Sequence, residues 1–369
     1  MELRTVESLC AAVYSGGTPS RKKPEYYEGG TIPWIKTMEI RDGYIYDSEE
    51  KITESGLQNS SAKFVPKESV LIAMYGATVG RVGYLKIDST TNQAACALVV
   101  NSEIKNPKWL YYSILATRDS LIDKANGAAQ QNISVSIVRN HQIKYVPLEE
   151  QERIAGILGS LDDKIEANTR LIQTMDSYKS TLFQAHICSE SEGETIKVSD
   201  VATLIRENIA ASDIDESMNY VALEHIPRHS LYSHEWTNSE GVMSNKSGFK
   251  VGDILFGKLR PYFHKVSIAA VDGIASTDIL VLRPKPGFEV LAQSVLSSED
   301  LIEYATQVSS GTRMPRASWK DIMNYEVTVK NVEILQESLS GFDAYSRALI
   351  HENKVLTETR DALIKRLIG

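Results

Sequence analysis

The 369-residue sequence has only three cysteines, Cys10, Cys96 and Cys188, and they lie far apart. That usage predicts a reducing compartment and argues against both a disulfide framework and a cysteine-based metal site. No run of about 18 apolar residues occurs, which argues against a membrane-spanning helix. The first residues, MELRTVESLC, carry acidic side chains where a signal peptide would be basic and then apolar. We therefore expect a cytoplasmic location and no membrane partner.

Motifs of the common enzyme classes are missing as well. The sequence has no Gly-Lys-Ser/Thr phosphate loop, no His-Glu-x-x-His zinc motif and no serine nucleophile elbow. The stretch NPKW (Asn106–Trp109) approaches the Asn-Pro-Pro-aromatic motif of amino-methyltransferases, but Lys108 stands where that motif has its second proline. We therefore predict that the chain has no catalytic residues and binds no cofactor of its own.

One group of histidines is a candidate metal site. It comprises His225, His229 and His234, with Glu224 and Glu235 nearby. Pro227 interrupts this segment, so histidines four residues apart cannot share one face of a regular helix. We predict no metal site here, and a metalloenzyme that uses this cluster is the less favoured alternative.

The net charge of −8 argues at first against a nucleic-acid partner. The distribution of charge along the chain weakens that objection. Residues 148–192 hold 4 basic against 9 acidic side chains, whereas residues 1–147 hold 17 against 15. Because the first part of the chain is slightly basic, a positively charged patch is compatible with the acidic total.

The sequence contains an internal repeat. VLIAMYGATVGRVGYL (Val70–Leu85) lies over ILFGKLRPYFHKVSIA (Ile254–Ala269) at a shift of 184 residues. The same shift, without a gap, brings residues 126–146 over residues 310–330. This pattern predicts a tandem duplication of two units of about 185 residues. Chance recurrence of short strand patterns is the alternative.

Each unit begins with a mixture of strands and short helices. In the first unit, strands are predicted for residues 69–73, 81–87 and 94–100, separated by Gly, Pro and Asn turns. A helix is predicted from Asn106 to Ala116, because Pro107 suits a first helical turn and an apolar stripe follows it.

Each unit ends in one long predicted helix. Residues 148–187 keep apolar side chains at steps of three and four without an internal proline, and residues 332–369 repeat the pattern. Such a helix is about 57 Å long at 1.5 Å per residue, which exceeds the width of a small domain. We therefore expect the two helices to pair with each other in antiparallel orientation. An amphipathic helix that lies on its own domain is the alternative.

The seam of this helix pair is predicted in detail. Asn168 is expected to face Glu352 or Asn353, as polar residues that set the register. The predicted seam residues are Ile154, Leu158, Leu161, Ile165, Asn168, Ile172, Met175, Leu182, Leu339, Phe342, Leu349, Leu356 and Leu363.

The glycine-rich stretch YGATVGRVG (Tyr75–Gly83) is not interpreted as a phosphate-binding loop. A dinucleotide-binding loop is followed by a helix whose N-terminus meets the phosphate, whereas the RVGYLKI that follows here predicts a strand. The stretch is therefore a loop that presents side chains between two strands. Its copy in the second unit, GKLRPYFHK, carries cations and aromatic groups that suit base edges and phosphates. A solvated hairpin is the alternative.

Other polar segments add candidates for DNA binding. TTNQ and AAQQNIS offer amides that can pair with adenine, whereas GTRMPRASWK in the second unit offers arginines that prefer guanine. The two units therefore need not read the same bases, and GGTPSRKK is a further basic turn. The candidate DNA-binding residues are Ser20, Lys22, Thr78, Arg81, Asn92, Gln93, Gln130, Gln131, Ser134, Lys258, Arg260, Tyr262, Lys265, Arg313, Arg316 and Lys320.

In the order of its motifs, the chain resembles the specificity subunit of type I restriction–modification systems. The matching stretches are GGTPS, GGTIPWIKTMEI, ITESGL, GATVGRVGYL, TTNQ, QQNIS and VPLEEQERIAGIL in the first unit, and FKVGDILFGKLRP and TETRDALIKRLI in the second. The second unit departs from the pattern where PLEEQ would stand and reads VKNVEILQ.

The resemblance implies an α+β fold with two α/β target-recognition domains, separated by two long antiparallel coiled-coil helices in a pseudo-twofold tandem repeat. The corresponding segments are residues 1–147 for target-recognition domain 1, 148–190 for the central spacer helix, 191–331 for target-recognition domain 2 and 332–369 for the C-terminal helix.

The resemblance also implies a function and partners. The chain would be the non-catalytic subunit that reads an asymmetric, bipartite target on double-stranded DNA. It would dock two methyltransferase subunits, which bring S-adenosylmethionine, and two ATP-driven restriction subunits would join them. A coiled-coil adaptor that binds proteins without recognising DNA is the alternative.

Overall fold

The chain divides into two compact units in the computed structural model, which describes residues 2–101, 105–124, 132–188, 193–232, 235–311 and 313–369. Unit 1 comprises Met1–Glu166 and Val355–Gly369, and unit 2 comprises Ala167–Lys354. The boundaries fall inside the two longest helices, so each of these helices contributes to both units.

Unit 1 is built from short strands and from helices, the last of which continues into unit 2. Its strands are β1 (Glu2–Thr5), β2 (Cys10–Ser15), β3 (Ile32–Ile35), β4 (Gly43–Ile45), β5 (Lys51–Ile52), β6 (Phe64–Val65), β7 (Val70–Ala73), β8 (Val82–Leu85), β9 (Ser89–Thr91), β10 (Ala95–Val100) and β11 (Gln142–Tyr145). Its helices are α1 (Val6–Leu9), α2 (Glu54–Gln58), α3 (Pro107–Asp123), α4 (Val135–Arg139) and α5 (Leu148–His186).

The central sheet of unit 1 has the strand order β2-β10-β7-β8-β4, beside a four-stranded sheet β5-β3-β9-β6 and the pair β1-β11. Strand β7 is buried along its whole length because its two faces serve two cores. Val70 and Ile72 pack with the aromatic side chains of α3, whereas Leu71 and Ala73 pack in a second cluster that includes Ile35. The apolar run that predicted this strand is therefore explained by burial on both sides.

Unit 2 repeats the same kinds of element. Its strands are β12 (Glu194–Lys197), β13 (Ala202–Ile205), β14 (Asn208–Ile209), β15 (Asn219–Val221), β16 (Thr237–Asn238), β17 (Lys246–Phe249), β18 (Ile254–Gly257), β19 (Val266–Ile268), β20 (Gly273–Ala275), β21 (Ile279–Pro284) and β22 (Glu326–Val329). Its helices are α6 (Val198–Val201), α7 (Glu289–Leu296), α8 (Glu299–Gln307), α9 (Trp319–Asn324), α10 (Val332–Leu339) and α11 (Phe342–Leu367), the last of which continues into unit 1.

The tandem repeat predicted from the sequence is confirmed by the strand order. The order β13-β21-β18-β19 in unit 2 corresponds to β2-β10-β7-β8 in unit 1, and the pair β12-β22 corresponds to β1-β11. The shift of 184 residues is also kept, because β18 begins at Ile254 and β7 at Val70, and β22 begins at Glu326 and β11 at Gln142.

The first long helix follows the prediction, and the second departs from it. Helix α5 runs from Leu148 to His186 without a break. The continuous C-terminal helix predicted for residues 332–369 is wrong, because the chain forms α10, then a break, then α11. The break lies at Gly341, whose φ of 83° is left-handed and suits glycine. Leu335 and Leu339 on α10 are buried in the core of unit 2 with residues of α7, and this packing stabilises α10 as a helix separate from α11.

Within each unit, α5 and α11 meet through buried polar side chains. In unit 1, Arg360 Nη1 lies 2.8 Å from Asp162 Oδ1, and Tyr112 donates a 2.6 Å hydrogen bond to the same carboxylate. In unit 2, Asn168 Nδ2 donates to Glu352 Oε2 and to Asn353 Oδ1, both at 2.8 Å. Residues later in α5 thus pair with residues earlier in α11, as in an antiparallel pair.

The residues of the predicted seam are all withdrawn from solvent to some degree. The buried ones are Ile154, Leu158, Asn168, Ile172, Leu339 and Leu349. The half-buried ones are Leu161, Ile165, Met175, Leu182, Phe342, Leu356 and Leu363. Among the residues that the structure describes, no helix is both long and apolar enough to cross a bilayer.

Candidate nucleic-acid interface

The loop between β7 and β8 in unit 1 is a tight turn that leads directly into the next strand. It contains one 3₁₀ turn, Gly76–Thr78, and then β8 begins. Gly76 and Gly80 have φ angles of 77° and 80°, which glycine adopts most readily. A Cβ on Gly80 would also come within 2.5 Å of the Ile122 side chain on α3. The glycines therefore shape the loop and let it lie close to the helix.

Three of the predicted segments of unit 1 meet beside this loop. The Met74 amide donates to the Ala94 carbonyl at 2.8 Å, and the Ile133 amide donates to the Met74 carbonyl at 3.0 Å. These bonds bring the segments that contain Asn92 and Ser134 to the end of β7. Thr18 and Gln93 share a hydrogen bond between their side chains, which adds the GGTPS turn to the same group. Segments that are far apart in the sequence thus form one surface at one end of the sheet.

Arg81 is positioned by a shared ion pair. The Asp42 carboxylate lies 2.6 Å from Arg81 Nη1 and 2.6 Å from Arg118 Nη1. The Arg81 side chain remains 54% exposed. One carboxylate between two guanidinium groups leaves a net positive charge at the end of the loop, where a phosphate or a base edge could bind.

The predicted hydroxyl and amide groups of unit 1 differ in their surroundings. Ser134 is the N-cap of α4, and Asn92 Oδ1 accepts from the Ala94 amide at 3.2 Å, so both side chains stabilise local turns. Thr78 Oγ1 is buried and has no hydrogen-bond partner among the described residues. Ser20 and Lys22 are exposed. Gln130 and Gln131 lie outside the described residues.

In unit 2 the corresponding segments meet at the corresponding end of the sheet. The Lys258 amide donates to the Asp278 carbonyl at 3.0 Å, and the Ala317 amide donates to the Lys258 carbonyl at 2.9 Å. The Arg260 amide donates to the Pro315 carbonyl at 2.7 Å. The GKLRPYFHK loop and the GTRMPRASWK segment are therefore joined through their backbones at the end of β18.

The side chains of this second cluster are more cationic than those of the first. Arg316 Nε lies 3.1 Å from Asp278 Oδ1, and its side chain is 46% exposed. Arg260 Nη2 lies 3.4 Å from the Arg313 carbonyl, and Arg260 Nε is buried without a partner among the described residues. Tyr262, Arg313 and Lys320 are exposed. Lys265 differs, because its ammonium group donates to the Leu223 carbonyl at the inner side of the loop.

Two arginines that were not among the candidate DNA-binding residues stack on aromatic rings in these clusters, although one of them, Arg21, belongs to the predicted basic turn GGTPSRKK. Arg206 lies over the Trp319 ring at 4.4 Å, and both line a groove of about 290 Å³ together with Lys258. In unit 1, Arg21 lies over the rings of Tyr27 and Trp34 at 4.3 and 5.0 Å. The internal repeat could have indicated Arg206 as a candidate, because Arg206 directly follows β13 just as the GGTPSRKK turn directly follows β2.

The histidines that were considered for metal binding do not assemble as a 224–235 group among the described residues. His225 Nδ1 accepts a hydrogen bond from the Ala222 amide at 3.0 Å and closes a local turn. His229 instead lies beside His264 and Glu299. His234 lies outside the described residues.

The fold therefore has two units of one topology, each with a cluster of polar and cationic loops at the end of its central sheet. Residues 1–176 match the family model described as Type I restriction modification DNA specificity domain. Over 96% of its length, the chain is 24% identical to the MjaIX type I restriction enzyme specificity subunit of Methanocaldococcus jannaschii, 90% of which is covered. A shorter stretch, 40% of the chain, is 30% identical to the Escherichia coli EcoR124I/EcoR124II specificity subunit and covers 38% of that protein.

A solved structure has the same fold. The crystal structure of the type I restriction–modification system S subunit from M. genitalium aligns with the whole chain and with 96% of its own length, with a TM-score of 0.54 and 17% identity. Residues 1–176 belong to the family of type I restriction–modification DNA specificity domains, and the chain as a whole is similar to the specificity subunits of such systems. It is thus the DNA target-recognition subunit of such a system, a role that involves no catalysis by the chain itself.

Proposed function

We propose that the chain reads an asymmetric, bipartite target on double-stranded DNA, one half-site with each unit. The observation that supports this most directly is the pair of loop clusters at equivalent ends of the two central sheets. The candidate residues of unit 1 are mainly hydroxyl and amide side chains beside Arg81, whereas those of unit 2 include Arg260, Arg313 and Arg316. Amides pair well with adenine and guanidinium groups with guanine, so the two half-sites would differ.

The target-recognition segments would be residues 1–147 and 191–331, with residues 148–190 and 332–369 as the helical spacer. DNA affinity would come from the exposed cations and from the arginines that stack on Trp319, Tyr27 and Trp34. The acidic excess of residues 148–192 lies away from the loop clusters in sequence and suits a protein-docking surface.

The helices would dock two methyltransferase subunits, and two restriction subunits would join the complex. S-adenosylmethionine and ATP would bind to those partners and not to this chain. Because the charge of the DNA can be neutralised partly by the partners, the net charge of −8 does not conflict with DNA recognition.

The test is to express the chain with its methyltransferase partner and to sequence the methylated sites of the host genome. We expect two unlike half-sites separated by a spacer of fixed length and unspecified sequence. A control strain that expresses the methyltransferase alone should show no such modification. A single contiguous target, or a palindromic one, would contradict the proposal, and partner binding without any site preference would favour the adaptor.

A further inference from the structure

Three side chains of the kinds that bind metal ions lie together in unit 2, and none of them is among the candidate DNA-binding residues, although His264 belongs to the GKLRPYFHK loop. His229, His264 and Glu299 place one ligand atom each within 4.8 Å of one another. Glu299 Oε1 lies 3.3 Å from His229 Nδ1 and 3.1 Å from His264 Nδ1. The edge of a tetrahedral zinc site, with bonds near 2.0–2.1 Å, is about 3.3 Å. The two distances to Glu299 are therefore close to those between neighbouring ligands of one ion.

The hydrogen bonding of His264 is that of a histidine that can bind a cation through Nδ1. Its Nε2 lies 2.9 Å from the Ser297 carbonyl, which can only accept, so Nε2 carries a proton. Its other ring nitrogen, Nδ1, faces the Glu299 carboxylate at 3.1 Å. Metal-bound histidines commonly have this arrangement, with the far nitrogen bonded to a carbonyl and the near one facing the ion.

The backbone of both histidines supports the same interpretation. His229 has a φ of 52° and His264 a φ of 47°, a left-handed conformation that is unfavourable for residues other than glycine. At the equivalent position of unit 1, 184 residues before His264, stands Gly80 with a φ of 80°. Unit 2 thus carries a histidine where unit 1 has a glycine in the same conformation. Strain of this kind is characteristic of ligand sites.

The three ligands come from separate segments. His229 follows the turn Leu223–His225, His264 ends the turn in the β18–β19 loop, and Glu299 begins α8. The His229 amide also donates to the His264 carbonyl at 3.0 Å, which fixes the two segments together. All three side chains line a cavity of about 680 Å³, so an ion could enter from solvent.

We propose that His229, His264 and Glu299 bind one divalent transition-metal ion of the zinc class. Two imidazoles and a carboxylate are ligands that zinc prefers, and a fourth position remains for water or an added group. The ion would tie the loop that carries Arg260 and Tyr262 to the start of α8. Its role would be to hold that loop and not to catalyse a reaction.

The test uses the full-length chain, treated with a chelator, dialysed and titrated with Zn²⁺ by calorimetry and with Co²⁺ by visible absorption. We expect one ion per chain, with the ligand-field spectrum of tetrahedral nitrogen and oxygen ligation. His229→Ala and Glu299→Gln change exposed side chains, and each should weaken Zn²⁺ binding by at least about tenfold. His351→Ala, at an exposed histidine on α11, is the matched control and should leave binding unchanged.

Circular dichroism of each variant establishes that it is folded before binding is compared. Absence of stoichiometric binding by the wild-type chain would overturn the proposal. It would also be overturned if His229→Ala and Glu299→Gln bound Zn²⁺ as tightly as His351→Ala. No DNA is present in this experiment, so its outcome is independent of the proposed target recognition.

Discussion

Arg316 is the side chain at which base recognition and phosphate binding can be separated most clearly. Its guanidinium group is held 3.1 Å from Asp278 and is nearly half exposed, so it is fixed and accessible at once. We expect Arg316→Ala to cost about 1–3 kcal/mol of DNA-binding free energy and to relax one half-site, if the residue meets a base. Binding titrations on a panel of half-site variants measure both effects.

Lys250→Ala is the matched control for this variant. Lys250 also forms an exposed ion pair, with Asp272 at 3.3 Å, but it precedes β18, whereas the proposed reading loop follows that strand. The variant Lys250→Ala should change the affinity for DNA little. An equal loss on every sequence after Arg316→Ala would show that the arginine binds phosphate and reads no base.

A single carboxyl group, that of Asp176, makes the stability of unit 2 depend on pH. Burial raises the pKa of Asp176 to about 6, although the Leu231 amide, at 2.9 Å, and the Lys179 ammonium group partly oppose this. The folded chain therefore holds a proton more tightly than the unfolded chain, whose aspartate has a pKa near 3.8. The stabilising contribution of Asp176 to the free energy of unfolding is fully present below pH 4, and it is lost as the pH rises through about 6.

Asp176→Asn should remove that loss, because the amide cannot ionise. The free energy of unfolding of the wild type should fall by about 2–3 kcal/mol relative to the variant between pH 4 and pH 7. Urea unfolding of both proteins at the two pH values measures the difference. Asp123→Asn, at an exposed position, serves as control. A difference between wild type and Asp176→Asn that is the same at both pH values would refute the assignment.

At the scale of elements, the pairing of α5 with α11 in unit 1 depends on a buried ion pair. The side chains of Asp162 and Arg360 are only 7% and 10% exposed, and Tyr112 completes the hydrogen bonding of the carboxylate. Arg360→Met would leave a buried, uncompensated carboxylate and should destabilise the chain by about 3–5 kcal/mol.

The double variant Asp162→Asn/Arg360→Met shows whether the loss of stability comes from the uncompensated carboxylate or from lost packing. The amide that replaces the Asp162 carboxylate would carry no charge and could still accept the Tyr112 hydrogen bond, so most of the stability should return. Arg153→Met removes an exposed arginine from α5, the helix that carries Asp162, and should change stability by less than about 0.5 kcal/mol. A double variant as unstable as Arg360→Met alone would mean that the loss comes from packing and not from the buried charge.

The helices and strands also show how much of the fold could be predicted from the sequence. Strands β7, β8 and β10 fall within the predicted runs, and α5 ends one residue before the predicted limit, because apolar periodicity reflects burial directly. Helix α3 continues to Asp123, beyond the predicted Ala116, since tertiary packing of Leu121 sustains it. The break at Gly341 was missed because a single glycine within a continuous apolar pattern does not reveal that the helix is interrupted.

The site was less predictable than the fold. The sequence identified the segments that converge, because the repeat aligned them, and Asn168 bonds to both residues that it was expected to face. It could not identify Asp42 and Arg118 as partners of Arg81, since ion pairs between distant residues leave no local pattern. Nor could it find Glu299, which lies 70 residues from His229.

At the scale of the whole molecule, we propose that the helix pair sets the spacing between the two half-sites. Helix α5 has 39 residues and, at 1.5 Å per residue, is about 58 Å long. It pairs with α11 through Asp162 and Arg360 in unit 1 and through Asn168 and Asn353 in unit 2. An insertion made in both helices between these pairs would lengthen the spacer and keep both sets of contacts in register.

The most direct measurement is therefore to insert four helix-forming residues after Glu166 and four after Lys354, and to map methylation in cells that carry the partner subunits. The insertion adds about 6 Å, which is close to two base-pair steps of about 3.4 Å. We expect a nonspecific spacer about two base pairs longer, with both half-sites unchanged. Altered half-sites, or an active complex that keeps the original spacer, would contradict the claim.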